Sequence, residues 1–346
     1  MATSALLLVC IGLAQAAAAE AGQAGQAGGP ARGERQLREA LRQDVEVLAG
    51  RFPGRHVTKP EVLEGAAAWI EGRLREAGLQ AVSERYVATT EGGAEVESRN
   101  LIAEVRGTTR PEEIIVIGAH YDAMPETPGA DDNASGVAVG LALAEAFAER
   151  PQGRTLRFTF FTNEEPPLFQ TPQMGSMVRA SAERQAGERV VAMMSLEMLG
   201  YYSEGPVSPQ VQQVAGPLGV ELPETDDFVV LAAWPGSAQL VRRVHAAWEG
   251  PVTAVPVVAP EQVAIVGWSD QWSYWQNGFP ALMVTDTSFL RNPHYHEPTD
   301  TPETLDYTRM ASVTRSLGGV IEALADDAGP EAPGPDAPGR DAPAKD

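Results

Sequence analysis

A short apolar run near the middle of the chain constrains the fold more than any other feature. Residues 114–118 read IIVIG, and an unbroken β-branched run is typical of a central strand buried on both faces. Further strand patterns alternate along the chain with segments whose apolar residues recur at helical spacing. Strands alternating with helices predict a mostly parallel sheet covered by helices on both faces, with the ligand site beyond the carboxyl ends of the strands. The predicted helices are 35–49, 60–77, 137–148, 177–184, 238–248 and 307–325, and the predicted strands are 81–88, 101–106, 114–118, 155–161, 190–196, 228–232, a strand near 255, and 281–285.

The charge of the chain excludes two classes of partner. The 346 residues include 47 acidic and 26 basic side chains, for a formal net charge of −21. A surface this acidic repels phosphate backbones and anionic lipid, so we expect no nucleic-acid partner and no docking on a membrane. The single cysteine, Cys10, excludes a disulfide framework and a cysteine-based zinc site. A metal ion would therefore be held by histidine, aspartate or glutamate.

Both ends of the sequence differ in composition from the part between them. Residues 1–19 hold a short apolar run followed by small residues, which is typical of a signal peptide; the alternative is a disordered Ala-rich leader. Residues 20–33 form a Gly/Ala/Gln linker, and residues 328–346 repeat Ala, Pro, Gly and Asp, so neither buries enough surface to fold. We therefore predict one domain over residues 34–327 in a secreted or periplasmic protein without a membrane anchor.

Polar side chains follow the predicted strands where the strands end. His120 and Asp122 come directly after the 114–118 strand, and residues two apart in extended chain point the same way. A carboxylate beside a metal-ligating imidazole commonly fixes the orientation of the ring. Asp131 and Asp132 then open the next predicted helix. Taken alone, these two acids are best explained as a helix cap.

Other strand ends add further acids and histidines. Glu164 and Glu165 follow one predicted strand, Glu197 follows another, and a late loop supplies His294 and His296. One of two adjacent acids can bind a metal ion while the other acts on its water as a general base.

Imidazole and carboxylate ligands of this kind suit zinc, and less selectively cobalt or manganese. The three carboxylates of Asp132, Glu165 and Glu197, with one bound hydroxide, balance the charge of two Zn²⁺ ions. With one zinc ion the same ligands leave a negative centre, so charge favours two. The remaining histidines, His56 and His245, are predicted to be ordinary surface residues.

Six short motifs carry a resemblance to a known family. In chain order they are His120-Tyr121-Asp122, residues 129–136 (GADDNASG), Asn163-Glu164-Glu165, Ser195-Leu196-Glu197-Met198, Ser269-Asp270, and residues 295–301. Together they resemble the co-catalytic di-zinc metallo-aminopeptidases, the family of bacterial leucyl aminopeptidase and aminopeptidase Y, which is related to glutamate carboxypeptidase and the transferrin receptor. The resemblance runs from about residue 95 to 325. It implies a three-layer αβα fold with a mixed, mainly parallel central sheet, and hydrolysis of the N-terminal bond of peptides with a free amine.

The resemblance also implies the metal ligands, carried over position by position. His120 and Glu197 would hold one zinc ion, Glu165 and His296 would hold the second, and Asp132 would bridge the two. The family commonly has aspartate where Glu197 stands, so this chain's side chain is one methylene longer.

The remaining roles implied by the resemblance concern the reaction. Glu164 would be the general base acting on the metal-bound water, and Asp122 would orient the imidazole ligand. The peptide bond between Asp131 and Asp132 is expected to be cis. Gln271 follows Asp270 where the family often has histidine, so we expect altered substrate contacts there.

Two side chains are assigned to the substrate. Tyr295 is predicted to donate to the developing oxyanion because it adjoins the predicted ligand His296, and Asp270 is predicted to contact the substrate. We favour a bulky apolar residue at the substrate's N-terminus. Six large side chains are candidates for its pocket, although each taken singly is better explained as core: Phe169, Met174, Trp268, Trp272, Tyr274 and Phe289.

Two other functions are compatible with this scaffold. A glutaminyl cyclase-like acyltransferase has a similar acid and histidine set but would hold a single zinc ion. A peptidase-like binding module would have lost its metals, whereas here all five ligand positions and the base hold competent residues. The peptidase is therefore favoured, with the cyclase second.

Overall fold

The computed structural model describes residues 33–326 apart from residue 91. The predicted signal peptide, the linker up to residue 32, and the C-terminal tail lie outside the described residues. Within them, no helix combines the length and the apolar character needed to span a bilayer.

One eight-stranded sheet, in the order β1-β2-β4-β3-β5-β8-β6-β7, forms the centre of the fold. The neighbouring strands β4, β3, β5 and β8 run parallel to one another. β6 and β7 are also a parallel pair, whereas β1, β2 and β4 pair antiparallel, as do β6 and β8. The sheet is thus mixed and mainly parallel, as predicted. The strands are β1 (Ala81–Thr89), β2 (Glu95–Val105), β3 (Arg110–His120), β4 (Arg154–Phe161), β5 (Arg189–Glu197), β6 (Val229–Ala233), β7 (Ala254–Val258) and β8 (Ala281–Thr285).

Helices cover both faces of the sheet. α1, α2, α3, α6 and α8 pack against one another as one layer, and α4 packs with α7. The three-layer αβα prediction is therefore confirmed. The helices are α1 (Glu34–Arg51), α2 (Pro60–Glu76), α3 (Gly136–Phe147), α4 (Gly175–Gln185), α5 (Pro209–Ala215), α6 (Ala238–Ala247), α7 (Gln271–Gln276) and α8 (Tyr307–Asp326).

Strand β3 shows why its apolar run is unbroken. Ile115 and Ile117 pack into the large core beneath the α1–α3 layer, whereas Ile114 and Val116 pack into a separate cluster on the opposite face. Because alternate residues of a strand point to opposite faces, a strand between two helical layers needs apolar side chains at every position.

Several elements differ from the sequence prediction. Strand β2 begins at Glu95, six residues earlier than predicted, because its first half pairs with β1 although most of its side chains are polar. The short helices α5 and α7 were not predicted. Seven- and six-residue segments are too short to show a helical period in their sequence.

Candidate metal centre

The parallel strands bring the predicted ligands to one edge of the sheet. His120 is the last residue of β3 and Glu197 is the last residue of β5. Glu165 lies four residues beyond β4, and His296 lies in the loop that follows β8. Asp132 lies in the irregular turn Ala130–Ser135 that leads into α3. All five side chains therefore reach the same carboxyl edge, where sheets of this type hold their ligands.

Asp132 lies between two groups of ligand atoms. Its Oδ1 is 3.4 Å from His120 Nε2, which is itself 3.3 Å from Glu197 Oε2. Its Oδ2 is 3.1 Å from His296 Nε2, which is 3.3 Å from Glu165 Oε2. The two oxygens of a single carboxylate thus face two separate histidine–glutamate pairs. Within each group of three residues, the ligand atoms all lie within 4.8 Å of one another.

The donor atoms of these two groups fit zinc. His296 Nε2 and Glu165 Oε1 have no hydrogen-bond partner although they are buried. Buried polar atoms are nearly always hydrogen-bonded, so atoms that converge without a bond point to a bound cation. Imidazole nitrogen and carboxylate oxygen are ordinary zinc donors.

The pKa values of the site residues also favour a bound cation. Burial raises the pKa of Glu165 to about 7, and the charge of Asp132 adds to the shift. Burial alone would lower the pKa of His296, but the adjacent carboxylates of Asp132 and Glu165 raise it to about 10. Carboxylates crowded into a buried site with few positive groups favour bound protons or a metal ion.

Glu164 points into the same site without belonging to either group of three. Its Oε2 lies 3.9 Å from His120 Nε2. Burial raises the pKa of the Glu164 carboxyl well above its ordinary range, and the nearby charges of Glu197 and Glu165 act in the same direction. A buried carboxyl group with a raised pKa beside a candidate metal site is a candidate for general acid–base chemistry.

Asp122 holds the loop that carries these two glutamates. Its two carboxylate oxygens accept hydrogen bonds from the backbone N–H groups of Glu164 (3.2 Å) and Glu165 (3.0 Å). The distance from its Oδ1 to His120 Nδ1 is longer, at 3.5 Å. The geometry therefore adds a connection between the end of β3 and the Glu164–Glu165 loop that sequence reasoning did not identify.

Polar residues beside the predicted ligands fix the turn that carries Asp132. Asp300 accepts hydrogen bonds from the backbone N–H groups of Asp131 and Asp132. The Asn133 side chain donates to Leu196 O and accepts from Met198 N–H, which joins this turn to the end of β5. Both residues stand in motifs that carried the family resemblance, but sequence reasoning gave them no role.

Three further hydrogen bonds connect residues around the site. Ser269 donates a 2.6 Å hydrogen bond to Glu197 Oε2. The Asp131 carboxylate accepts from Gly200 N–H and from Asn292 Nδ2, so it faces away from the two ligand groups. The predicted cis bond between Asp131 and Asp132 is wrong: the cis bond joins Asp132 to Asn133.

Backbone conformation is unusual close to the site. Asn163 (φ 59°), Met198 (φ 47°) and His296 (φ 59°) adopt the left-handed region. Asn163 directly precedes Glu164, and Met198 directly follows Glu197. Residues with a side chain rarely adopt this region, and local strain of this kind concentrates at functional sites.

A cavity of about 300 Å³ opens beside the two ligand groups. Asp132, Glu164, Glu165, Glu197 and His296 lie in its wall at one end. Beyond them the wall is apolar and comes from the sheet face of β6–β8, from α5 and from the chain that follows α5. Its apolar residues include Val211, Val214, Leu218, Val220, Leu222, Val230, Val257, Ile265 and Met283.

The residues predicted to contact substrate lie in different places. Tyr295 lines the cavity, and its ring stacks on the His296 ring with a centroid distance of 3.7 Å. Burial raises the pKa of Tyr295 well above its ordinary range, so its hydroxyl remains a donor. Asp270 is fully buried beside α7 and is not in the cavity wall.

The six aromatic and sulfur candidates lie in three different locations. Phe169, Trp268 and Phe289 line the cavity, whereas Met174 and Tyr274 are fully buried core residues. Trp272 is half-buried and lies outside the cavity wall.

The other three histidines do not join the ligand groups. His294 contacts Thr299 and Tyr201, and His245 is exposed on α6. His56 is buried, with 3% of its surface exposed, so its prediction as a surface residue is wrong. The segment before α2 carries no periodic pattern that could have indicated its burial.

Comparison with known proteins agrees with this geometry. The sequence matches peptidase family M28 over residues 100–321. The uncharacterized protein YfbL of Escherichia coli (strain K12) is 32% identical over 296 residues, which cover 83% of this chain and 87% of YfbL. Leucine aminopeptidase 1 of Arthroderma otae is 26% identical over 309 residues, covering 83% of this chain and 74% of that protein.

Solved structures share the fold at lower sequence identity. BSAP, a zinc aminopeptidase from Bacillus subtilis, matches with a TM-score of 0.63 at 14% identity, covering 84% of this chain and 95% of BSAP. Glutaminyl cyclase from Porphyromonas gingivalis matches with a TM-score of 0.58 at 17% identity, covering 85% of this chain and 99% of the cyclase. The chain belongs to peptidase family M28, which confirms the predicted family and the prediction of a zinc-dependent metallo-aminopeptidase.

Proposed function

We propose that this protein is a two-zinc aminopeptidase that removes large apolar residues from the N-termini of peptides, with Glu164 as general base. One observation carries the proposal: the two oxygens of Asp132 lie 3.4 Å and 3.1 Å from the imidazoles of two separate histidine–glutamate pairs. A carboxylate in this position is suited to bridge two ions. His120 and Glu197 would bind one zinc ion, and Glu165 and His296 the other.

Three protein side chains have separate roles in the proposed reaction. Two zinc ions bound at these ligands would supply Lewis-acid polarisation of the scissile carbonyl and acidify a water molecule. Glu164 accepts a proton from this water as its oxygen bonds to the carbonyl carbon, and returns that proton to the nitrogen when the C–N bond breaks. Tyr295, whose hydroxyl stays protonated, donates to the oxyanion that develops on the carbonyl oxygen. Asp122 keeps Glu164 and Glu165 in place through their backbone N–H groups.

The charge of the site selects a free N-terminus. Four buried carboxylates line one end of the cavity, those of Asp132, Glu164, Glu165 and Glu197. Glu164 and Glu197 are the candidate partners for the substrate's ammonium group. An acetylated N-terminus has no positive charge, so we expect it to be rejected.

The cavity supports a preference for a bulky apolar side chain. Its 300 Å³ is about twice the roughly 150 Å³ of an apolar cavity that binds benzene. The reacting amide and amine occupy the end that carries the carboxylates, which leaves room for a side chain such as leucine or phenylalanine. Asp270 does not line this space, so we do not assign it a direct contact with the substrate.

Peptides that differ only at the N-terminus test the proposal. Zinc-loaded protein is incubated with a peptide that begins with leucine and with its acetylated twin, and the products are followed by mass spectrometry. Stepwise loss of residues from the free peptide alone is expected. No cleavage of either peptide would contradict the proposal, and loss of ammonia from a peptide that begins with glutamine would favour a glutaminyl cyclase-like acyltransferase.

We also propose that residues 34–327 form the catalytic domain and that residues 1–19 direct its export. The composition of the leader supports this localisation. Sequencing the N-terminus of the protein recovered from the medium or periplasm tests it. An unprocessed leader on protein that remains in the cytoplasm would contradict it.

A further inference from the structure

The segment Gly54–Arg55–His56, between α1 and α2, contacts both loops that carry site residues. It lies upstream of residues 100–321, the part that matches the peptidase family. Gly54 N–H donates to Thr127 O at 2.9 Å, and Ala123 N–H donates to Arg55 O at 3.0 Å. Gly54 has a φ of +61°, and a Cβ there would collide with Pro125 O. A glycine is therefore required for this close approach.

Arg55 uses its side chain to hold the loop between His120 and Asp132. It is fully buried, with 0% exposure. Its guanidinium donates to three backbone carbonyls: Nε to Tyr121 O at 2.5 Å, Nη1 to Pro128 O at 2.8 Å and Nη2 to Gly129 O at 2.7 Å. The three carbonyls lie at the two ends of the loop, just after His120 and just before the turn that carries Asp132. A rigid fork of donors fixes the two ends relative to each other.

The charge of Arg55 also matters at this position. Among the residues that the structure describes, no carboxylate lies within ion-pair distance of it, yet the charges of Asp122, Asp132, Asp300 and Glu165 all act on it. A buried cation whose hydrogen bonds all go to neutral carbonyls needs negative charges nearby to offset the free-energy cost of its desolvation. Arg55 therefore contributes positive charge to the acidic centre without forming an ion pair with the carboxylate of a proposed metal ligand.

His56 holds the second loop. Its Nδ1 accepts a hydrogen bond from Thr58 N–H, so its other nitrogen, Nε2, carries the hydrogen. This Nε2–H donates to Pro166 O at 2.7 Å, and Pro166 directly follows Glu164 and Glu165. The ring is thus fixed at one nitrogen by its own segment and at the other by the loop of the proposed base.

We propose that Arg55 and His56 are positioning residues for the metal centre. Arg55 sets the separation of His120 and Asp132, and His56 sets the position of Glu164 and Glu165. This inference rests on the proposed function, because it takes those residues to be the ligands and the base. Loss of partners that orient metal ligands typically lowers metal affinity or activity about 10- to 100-fold.

The first test compares Arg55→Lys with Arg51→Lys, a matched change at an exposed arginine on the same stretch of chain. Lysine keeps the charge but cannot span three carbonyls. Zinc affinity is measured by competition with a chelator, at a temperature where circular dichroism shows both variants folded. We expect Arg55→Lys to bind zinc about 10- to 100-fold more weakly and to lose kcat with little change in KM, and Arg51→Lys to match the wild type. Wild-type zinc affinity and kcat in Arg55→Lys would overturn the proposal for Arg55.

The second test compares His56→Gln with His56→Leu and stays informative if Arg55→Lys does not fold. The amide of glutamine can still donate to Pro166 O, whereas leucine cannot. We expect kcat to fall about 10- to 100-fold in His56→Leu and to be largely rescued in His56→Gln. Equal kcat in the two variants would overturn the role assigned to His56.

Hydrogen exchange of the metal-free proteins separates this inference from the proposed function. We expect faster exchange in peptides covering residues 121–136 in Arg55→Lys, and in peptides covering 162–168 in His56→Leu. Unchanged exchange in both would overturn the positioning roles. A wild-type protein that retains no zinc would refute the proposed function, whatever the exchange result.

Discussion

Replacing Glu164 with glutamine tests the proposed general base. The substitution keeps the size of the side chain and removes its ability to accept the water's proton. We expect the proposed metal ligands to keep their positions in this variant, because Glu164 belongs to neither group of three candidate ligand residues. Asp132, Glu165 and Glu197 still supply three negative charges.

The expected loss of rate follows from the role of the group. A positioned general base contributes about 10²- to 10⁴-fold, which corresponds to about 2.7–5.5 kcal/mol of transition-state stabilisation at about 1.36 kcal/mol per tenfold. We therefore expect kcat on a leucine peptide to fall by at least 10²-fold in Glu164→Gln. With excess zinc, the metal content should remain that of the wild type.

The assay measures release of free leucine together with zinc content by elemental mass spectrometry. Glu97→Gln is the matched control, because the Glu97 side chain is 84% exposed on β2 and its loss also removes one negative charge. Activity within tenfold of the wild type in Glu164→Gln, with zinc bound, would refute the assignment of the base. Loss of zinc in step with activity would instead assign Glu164 to the ligands.

Three further predictions concern the ligands, the cavity and the buried acids. Because Asp132 faces both ligand groups, Asp132→Ala should lower the zinc content by more than Glu165→Ala, which removes a ligand of one ion; equal losses, measured by elemental analysis after dialysis, would contradict the bridge. Val230→Phe fills the apolar end of the cavity and should lower kcat/KM for leucine peptides about ten- to hundredfold, because the free energy of burying the leucine side chain is lost. The kcat/KM for peptides that begin with alanine should change little, and an equal loss for both kinds of peptide would contradict the pocket assignment. Burial raises the pKa of Asp270 from 3.8 to about 7, so the folded, metal-free protein binds this proton more tightly than the unfolded chain and loses stability as pH rises from about 4 to about 7. Asp270→Asn should therefore raise the Tm of the metal-free protein at pH 8 and leave it nearly unchanged at pH 4, and an equal Tm at pH 8 would contradict the shift.

The sequence predicted the strands well where burial is two-sided. The apolar run at residues 114–118 predicts a central strand, and β3 packs on both faces. The strand itself continues to His120, which pairs with Phe161. Hydrogen bonding extends β3 past the apolar run, so the predicted ligand His120 lies at the end of the strand and not just after it.

Contacts between distant parts of the chain could not be predicted in the same way. Arg55 is 66 residues from Tyr121 in sequence, and His56 is 110 residues from Pro166. No periodicity or motif marks the segment that holds them, because their burial follows from tertiary packing. Asp300 and Asn133 were closer to prediction, since both stand in recognisable motifs, but only the folded chain shows which backbone groups they bind.

A count of bound zinc ions tests the central claim most directly. Native mass spectrometry of the folded chain during a zinc titration, with leucine release measured on the same samples, reports stoichiometry and activity together. We predict two zinc ions per chain and activity that rises until both are bound. Saturation at one zinc ion per chain, with full activity at that point, would contradict the bridging role of Asp132 and the two-zinc mechanism.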